Sequence, residues 1–288
     1  MKLMSFEVAG RRSFGAVAGR GVVDLGRRLG ASCADLRALL AMDGLGRAAD
    51  LAAGASADYA LDEVVFLPPV PAPDKIVCVG VNYADRNTEY TNLEVPKYPN
   101  IFLRTPGSLV GHRQAIVRPP ESPQLDYEGE CAIIIGQGGR RIAPERAARH
   151  VAGLTCLNEG TIRDWTRHGT FNVTQGKNFE RSGAIGPWLV TTDESPAFDA
   201  LRVMTRVNGE VRQDDTTAHL VFSFAALIAY ISTWTELKPG DVIATGTPIG
   251  AGARFKPPRW LVPGDVVEVE VSGVGTLSNT IADEAVTR

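Results

Sequence analysis

The sequence predicts a mainly β protein of the mixed α/β class, built on a rolled or barrel-like mixed sheet with few helices. Short apolar runs recur along most of the chain, separated by Gly and Pro, whereas only one long stretch has strong helical periodicity. No G-x-G-x-x-G follows a strand-like run, and no G-x-x-x-x-G-K-[ST] occurs. These absences argue against a parallel nucleotide-binding sheet.

Residues 1–66 are predicted to form a small N-terminal α+β domain. Its strand-like runs are separated by Gly and Arg turns and lie at 3–8, 13–18 and 22–25. A helix capped by Ser32 is expected next, with one apolar face made by Leu36, Leu39 and Leu40. Residues 67–73 then carry four prolines within six positions, which forbids a helix and predicts a stiff linker.

Residues 74–288 are predicted to form the catalytic domain. Its strand-like runs lie at 76–80, 115–118, 130–136, 203–208, 242–245 and 266–271. Pro144 is expected to start a short helix. The strongest helical pattern covers residues 217–234, with a core-facing stripe of Leu220, Val221, Phe224, Leu227, Ile228 and Ile231.

Composition excludes several classes of function. The 288 residues are 44% hydrophobic and 22% charged, and the formal net charge is −3, so we expect no nucleic-acid partner. No run approaches ~20 apolar residues, so we expect no membrane partner. The cysteines, Cys33, Cys78, Cys131 and Cys156, have no C-x-x-C spacing. Together with an N-terminus that lacks a signal pattern, they predict a cytoplasmic protein.

Two carboxylates open the apolar run at 131–135. Glu128 and Glu130 are separated by Gly129, and side chains alternate along a strand, so both should project from one face, roughly 7 Å apart. Two like charges at the start of a buried strand need a cation, and a hard divalent ion suits oxygen ligands. The alternative is a solvated strand end with two surface glutamates.

Five segments, read in order, resemble the fumarylacetoacetate hydrolase family over roughly residues 73–283. The segments are K-I-V-C-V-G-V-N-Y at 75–83, D-Y-E-G-E at 126–130, N-E-G-T-I-R-D-W at 158–165, G-K-N-F at 176–179 and P-G-D-V-I-A-T-G-T-P at 239–248. The resemblance implies a fumarylacetoacetate hydrolase-like mixed β-roll, a homodimer and a divalent metal held by three carboxylates.

The resemblance implies metal ligands at Glu128, Glu130 and Glu159. Mg²⁺ or Mn²⁺ is the expected ion, with Ca²⁺ possible. Glu159 departs from the pattern, since the family usually has Asp after that Asn. Its extra methylene requires a slightly retracted backbone.

Further roles follow from the same resemblance. Lys177 corresponds to the active-site lysine, whose ammonium suits a carboxylate or a developing oxyanion. Arg163 would support the metal loop or bind substrate. Thr247 and Gly246 belong to the T-G-T-P turn and are expected to bind substrate, Thr247 through its hydroxyl or N–H.

The largest departure lies in the predicted lid, residues 82–100. Many members carry N-Y-x-x-H-x-x-E there, with a His–Glu pair that activates water, but this chain has Arg86 in place of the His. Arginine stays protonated and cannot be a general base. Glu89 is retained and could activate water alone, with Arg86 holding it ionised or binding a substrate acid. Of the histidines, only His168 is a candidate substitute.

The sequence therefore predicts a metal-dependent hydrolase that cleaves a C–C bond of an acylpyruvate-type 2-oxo acid. Glu89 would deprotonate water, and the metal and Lys177 would stabilise the leaving enolate. The alternatives are tautomerisation, isomerisation or decarboxylation of a 2-oxo diacid through the same enolate. A further alternative is a non-catalytic protein that retains the metal pocket.

Overall fold

The computed structural model describes residues 1–89, 96–170 and 172–285, with Asn87 described by its main chain alone. Its strands are β1 Lys2–Val8, β2 Arg11–Ala18, β3 Gly21–Asp24, β4 Tyr59–Ala60, β5 Val65–Phe66, β6 Ile76–Gly80, β7 Asn100–Arg104, β8 Leu109–Val110, β9 Ile116–Arg118, β10 Leu125–Asp126, β11 Gly129–Ile135, β12 Val151–Asn158, β13 Thr161–Ile162, β14 Gly183–Thr191, β15 Arg202–Val207, β16 Glu210–Thr216, β17 Val242–Ala244, β18 Val266–Val271 and β19 Gly275–Asp283.

Helices are few and short. They are α1 Leu25–Leu29, α2 Leu36–Ala41, α3 Leu45–Ala52, α4 Thr174–Lys177 and α5 Phe224–Trp234. The 3₁₀ turns are Gly30–Ser32, Ala84–Glu89, Pro106–Ser108, Pro144–His150, Asp164–Arg167, Thr217–His219 and Gly252–Arg254. The described helices include none long and apolar enough to cross a membrane.

Most strands belong to one mixed 12-stranded sheet, ordered β4-β3-β2-β1-β14-β12-β11-β17-β6-β7, with β5 beside β1 and β8 beside β14. A second sheet of five strands runs β16-β15-β18-β19-β9, and β10 pairs with β13. The mainly β mixed fold predicted from the sequence is confirmed. The N-terminal strands join the large sheet through β1 and β14, where Leu3 faces Leu189. The domain division at residues 67–73 stays a prediction.

Strand β11 lies at the centre of the molecule and is buried throughout. Ile133 packs into a core shared with Val269 of the five-stranded sheet. Ile134 packs into a core shared with Leu36 of α2. Because both faces of β11 are covered, its sequence is a continuous apolar run rather than an alternating one.

Three predicted helices differ from those observed. Asp35, not Ser32, caps α2, since its Oδ1 accepts a hydrogen bond from the Ala38 N–H at 2.7 Å. The turn at Pro144 is a 3₁₀ helix. The helix predicted from residue 217 begins at Phe224, because the Val221 N–H donates instead to the Asn82 carbonyl at 2.7 Å. The predicted helix start is therefore a loop bound to the segment that carries Arg86.

Candidate metal centre

Three glutamates meet where β11 and β12 pair side by side. Gly129 faces Asn158 in the antiparallel register, so Glu128 and Glu130 come to lie beside Glu159. The three offer carboxylate oxygens that all lie within 4.8 Å of one another, and all three residues are buried. The Glu159 N–H also donates to the Glu128 carbonyl at 2.7 Å. Glu128 lies just before β11, so the strand pairing and not the strand itself brings the carboxylates together.

The charge on these carboxylates is unevenly balanced. Burial favours protonation of Glu128, but Arg163, Lys177 and Arg86 outweigh it and hold the pKa of Glu128 well below its usual range. Burial raises the pKa of Glu130 well above its usual value, and the charges of Glu159 and Glu128 raise it further. The group therefore lacks positive charge on the side of Glu130.

The residues present fit a hard divalent cation. Glu159 Oε1 is buried and has no hydrogen-bond partner among the described residues, which is costly for a carboxylate oxygen. Three carboxylates supply the oxygen ligands that Mg²⁺, Mn²⁺ and Ca²⁺ take, and they leave coordination positions for water or substrate. A divalent ion would satisfy both the orphaned oxygen and the excess negative charge.

Lys177 ends α4 and reaches into the same group of carboxylates. Its Nζ contacts Glu128 Oε2, and it lies 3.1 Å from Glu159 Oε2 and 5.2 Å from the centre of the Phe102 ring. Burial alone would lower the pKa of Lys177, but Glu128 and Glu159 outweigh it and the pKa is raised. Lys177 is thus a protonated donor beside the glutamates, and its oxyanion-binding role stays a prediction.

Arg86 lies in the 3₁₀ turn Ala84–Glu89 and is 2% exposed. Its guanidinium donates to Glu128 Oε1 at 2.9 Å and to Glu89 Oε2 at 2.6 Å. The turn is anchored by Asn82, whose side chain donates to the Thr245 carbonyl at 2.8 Å and accepts from the Phe222 N–H. Arg86 therefore joins the predicted base directly to a predicted metal ligand.

Glu89 is held on several sides. Besides Arg86, it accepts a hydrogen bond from the Gly250 N–H at 3.0 Å, and Arg254 Nε lies 3.6 Å from its Oε2. Together with Arg212 and Ile249, Glu89 lines a side cavity of about 440 Å³. Its carboxylate is thus bound by donors, and Glu89 is not among the described lining residues of the metal-site cavity, whereas its partners Arg86 and Arg254 are.

The T-G-T-P turn has a structural role in this arrangement. The Gly246 N–H donates to Glu130 Oε2 at 2.8 Å. A Cβ at Gly246 would lie 2.7 Å from the Asn82 Cβ, and the φ of 102° also favours glycine. The Thr247 hydroxyl donates to the Gly129 carbonyl at 2.8 Å. Both residues predicted to bind substrate therefore hold the glutamate pair in place, and Thr247 also lines the cavity.

Arg163 binds two carboxylates at once. Its Nε donates to Asp126 Oδ2 and its second terminal nitrogen to Glu128 Oε1, both at 2.7 Å. This geometry corresponds to the predicted support of the metal loop. Asp126 is fully buried and anchors this arginine. It belongs to the D-Y-E-G-E motif, but no role was predicted for it from the sequence. The motif was therefore the signal that could have identified Asp126.

Gln213 is a second residue of the site that was not predicted from the sequence. It accepts from the Gly129 N–H at 2.9 Å and donates to the Thr247 hydroxyl at 2.8 Å, so it links the glutamate pair to the T-G-T-P turn. No sequence pattern marks it, because it is one polar residue in the charged strand β16.

A cavity of about 590 Å³ opens onto the metal site. Its described lining includes the three glutamates, Arg86, Arg163, Lys177 and an apolar wall with Phe102 and Trp260. No histidine is among the described lining residues. His168 packs against Trp165, with 4.3 Å between ring centres and the rings tilted by 41°, and it does not line the cavity. The predicted substitute base is therefore not in position in the part of the chain described.

Comparison with known proteins agrees with this geometry. The model of the fumarylacetoacetate (FAA) hydrolase C-terminal family matches residues 75–282. The oxaloacetate tautomerase FAHD2B, mitochondrial, of Homo sapiens is 43% identical over 220 residues, 76% of this chain and 70% of that protein. The oxaloacetate tautomerase YisK of Bacillus subtilis is 40% identical over 227 residues, 77% of this chain and 75% of that protein.

A solved structure extends the likeness to the whole chain. The maleylpyruvate hydrolase of Sphingobium sp. SYK-6, in complex with manganese(II) ion and pyruvate, has a TM-score of 0.82 and 29% identity. The match covers 99% of this chain and 100% of that one. The family resemblance read from the sequence is confirmed, and the chain belongs to the fumarylacetoacetate hydrolase family of enzymes.

Proposed function

We propose that the protein is a divalent-metal-dependent tautomerase that interconverts the enol and keto forms of a small 2-oxo diacid, such as oxaloacetate. The observation that carries this proposal is the ion pair of Arg86 with Glu89. At the position of the lid histidine stands a cation that cannot accept a proton. The remaining acid, Glu89, accepts hydrogen bonds from Arg86 and the Gly250 N–H, lies 3.6 Å from Arg254 Nε, and is not among the described lining residues of the metal-site cavity.

Tautomerisation requires fewer catalytic groups from the lid than hydrolysis does. C–C hydrolysis requires a base that activates a water nucleophile, whereas tautomerisation requires only proton exchange on an enolate. When bound, Mg²⁺ or Mn²⁺ would be held by Glu128, Glu130 and Glu159 and would polarise the 2-oxo group as a Lewis acid. The presence of Arg86 in place of the lid histidine therefore argues more strongly against the hydrolysis predicted from the sequence than against tautomerisation.

The chain's own residues suit an anionic enolate. Lys177, kept protonated by Glu128 and Glu159, can donate to the enolate oxygen or to the substrate 1-carboxylate. Arg86 and Arg163 line the same cavity and favour a substrate with a second negative charge. The tautomerase names of the two relatives support the same choice of substrate class.

Hydrolysis of an acylpyruvate is the second candidate. Glu89 lies one turn from Arg86 in the described structure, and a closed lid could turn it towards the cavity. The maleylpyruvate hydrolase structure with manganese(II) and pyruvate supports this reading. Decarboxylation of a 2-oxo diacid and a non-catalytic metal-binding role are the remaining alternatives predicted from the sequence. Part of the predicted lid, residues 90–95, lies outside the described residues.

A paired assay separates the two reactions. Loss of the ultraviolet enol band of oxaloacetate is followed with Mn²⁺, beside a protein-free control with the same Mn²⁺, and pyruvate release from an acylpyruvate is followed in parallel. We expect protein-dependent loss of the enol band without pyruvate release, and its abolition by a chelator. Pyruvate release from the acylpyruvate at a comparable rate would instead establish the hydrolase.

Glu89→Gln sharpens the same choice. Because Arg86 and the Gly250 N–H already bind the Glu89 carboxylate, we expect its loss to lower the tautomerase rate by less than ~10-fold, whereas loss of a general base costs on the order of 10²–10⁴-fold. A fall in that larger range would place proton transfer at Glu89 and overturn the argument from Arg86.

We further propose that the protein acts as a homodimer, which the family resemblance implies. Light scattering at micromolar concentration tests this, and a monomer mass contradicts it. The cytoplasmic location predicted from the sequence stays a prediction.

A further inference from the structure

Arg104, the last residue of β7, is a buried guanidinium with unusual partners. It is 3% exposed, and it makes no ion pair with any residue in 1–89, 96–170 or 172–285. Its hydrogen bonds go to Ser108 Oγ at 3.1 Å, the Ser108 carbonyl at 3.3 Å, Ser182 Oγ at 3.3 Å and the Gly160 carbonyl at 2.9 Å. A buried charge without an ion-pair partner is costly, so these hydrogen bonds must compensate for the lost solvation of the guanidinium.

The bond to the Gly160 carbonyl connects Arg104 to the metal site, because Gly160 directly follows Glu159. The segment around it is tightly held. A Cβ at Gly160 would lie 1.8 Å from the Ser182 carbonyl oxygen, so no side chain fits there. On the other side, the Glu159 N–H donates to the Glu128 carbonyl and the Thr161 hydroxyl donates to the Glu159 carbonyl.

We propose that Arg104 is a positioning residue for the metal ligand Glu159. Its guanidinium fixes the Gly160 peptide against Ser182, and this fixed main chain sets the distance that the side chain at position 159 must reach. The inference rests on the metal-binding role of the three glutamates proposed above, and not on which reaction the metal serves.

A positioning role and a purely electrostatic role of Arg104 predict opposite effects of its removal on metal affinity. If Arg104 acted through its charge alone, its removal would strengthen metal binding, because one repulsive cation near the ion would be lost. If Arg104 positions Glu159, its removal weakens metal binding. Loss of a partner that orients a metal ligand costs on the order of 10–100-fold in affinity.

The experiment measures Mn²⁺ affinity by electron paramagnetic resonance of the free ion, with no substrate present. We expect Arg104→Met to lower the affinity by ~10–100-fold, and Arg104→Lys, which keeps the charge but loses the planar fork, to lower it less. In a Glu159→Ala background, Arg104→Met should have no further effect on Mn²⁺ affinity. An equal loss in both backgrounds, or a gain in affinity, overturns the proposal.

Two additional variants keep the test valid if Arg104→Met fails to fold. Ser108→Ala removes one acceptor of Arg104 and should weaken Mn²⁺ binding in the same direction, again only where Glu159 is present. Arg140→Met is the matched control, because Arg140 also donates to main-chain carbonyls, those of Ser232 and Thr233. It should leave the affinity unchanged. Failure of the parent protein to bind Mn²⁺ at all would refute the metal site itself, a separate outcome.

Discussion

The glutamate group of the candidate metal centre and the single carboxylate of the lid turn, Glu89, differ in how their charge is balanced. In the glutamate group, Glu159 Oε1 has no partner among the described residues and the pKa of Glu130 is raised by burial and by its neighbours. In the lid turn, Glu89 receives Arg86 at 2.6 Å and the Gly250 N–H at 3.0 Å. The glutamate group needs an external cation, whereas Glu89 is already bound by donors. The comparison indicates where a ligand enters and which acid is least suited to act as a base.

The largest effect is expected when a carboxylate without a balancing positive charge is removed. Glu130→Ala should lower Mn²⁺ affinity by more than the ~100-fold that loss of an outer-shell partner can cost, because two carboxylates compensate the ion poorly. Isothermal calorimetry measures this, with exposed Glu121→Ala as the control. Unchanged affinity in Glu130→Ala would show that the group is not the metal site.

The next largest effect is expected from removal of Lys177, the cation that contacts both Glu128 and Glu159. Lys177→Met should lower turnover by on the order of 10²–10³-fold, as loss of one oxyanion donor does elsewhere. Lys238→Met, which removes a surface lysine paired with Asp74, is the control and should retain full turnover. A Lys177→Met enzyme with parental turnover would exclude the lysine from enolate stabilisation.

Replacing Arg86 with histidine removes its ion pair with Glu89 and restores a base in the lid turn. Arg86→His should raise acylpyruvate hydrolysis, by part of the ~10²–10⁴-fold that a general base contributes, because it releases Glu89 and supplies an imidazole. Arg86→Lys keeps a cation without a usable base and should show no such gain. Pyruvate release distinguishes the two variants. Equal rates in both would mean that the lid turn does not decide the reaction.

The smallest expected effect concerns a titrating group remote from the glutamate group and from Glu89. Burial lowers the pKa of His112 to about 4, and its Nδ1 accepts from the Ser278 N–H at 3.0 Å. The unfolded chain therefore takes up the proton first, so stability is complete above pH ~6.5 and declines as the pH falls towards 4. We expect a loss on the order of 1–2 kcal/mol for this half-buried ring.

Urea titration at several pH values, with and without Mn²⁺, measures that slope. His112→Gln should remove it in both conditions, whereas His219→Gln, at an exposed histidine, should keep it. A slope of the same sign that persists in His112→Gln would assign it to another titrating group and contradict the prediction.

The sequence predicted that the three glutamates lie together because their spacing and motifs carry that information locally. Glu128 and Glu130 flank one glycine before an apolar run, and Glu159 follows an asparagine in a recognisable block. The pairing of Gly129 with Asn158 then brings them together. The bond from Arg86 to Glu128 could not be predicted, since it depends on how a 3₁₀ turn packs 42 residues away from its partner.

The missed strands have a similar cause. In β12, Gly153 and Thr155 interrupt the apolar run that makes β11 recognisable, and β14 contains Gly183, Gly186 and Pro187. The helix predicted from residue 217 failed for a tertiary reason. Asn82 binds the main chain of Val221 and Phe222, and these contacts outweigh the helical periodicity of the apolar residues.

The pairing of β1 with β14 has a consequence for dissection of the chain. Lys2 and Leu3 of β1 face Val190 and Leu189 of β14, and β14 continues through β12 to β11, which carries Glu130. A fragment starting at residue 74 would expose this part of β14 as a bare, apolar sheet edge. Such edges pair with other chains, so that fragment is expected to aggregate, whereas a fragment that keeps β1 and β2 covers the edge.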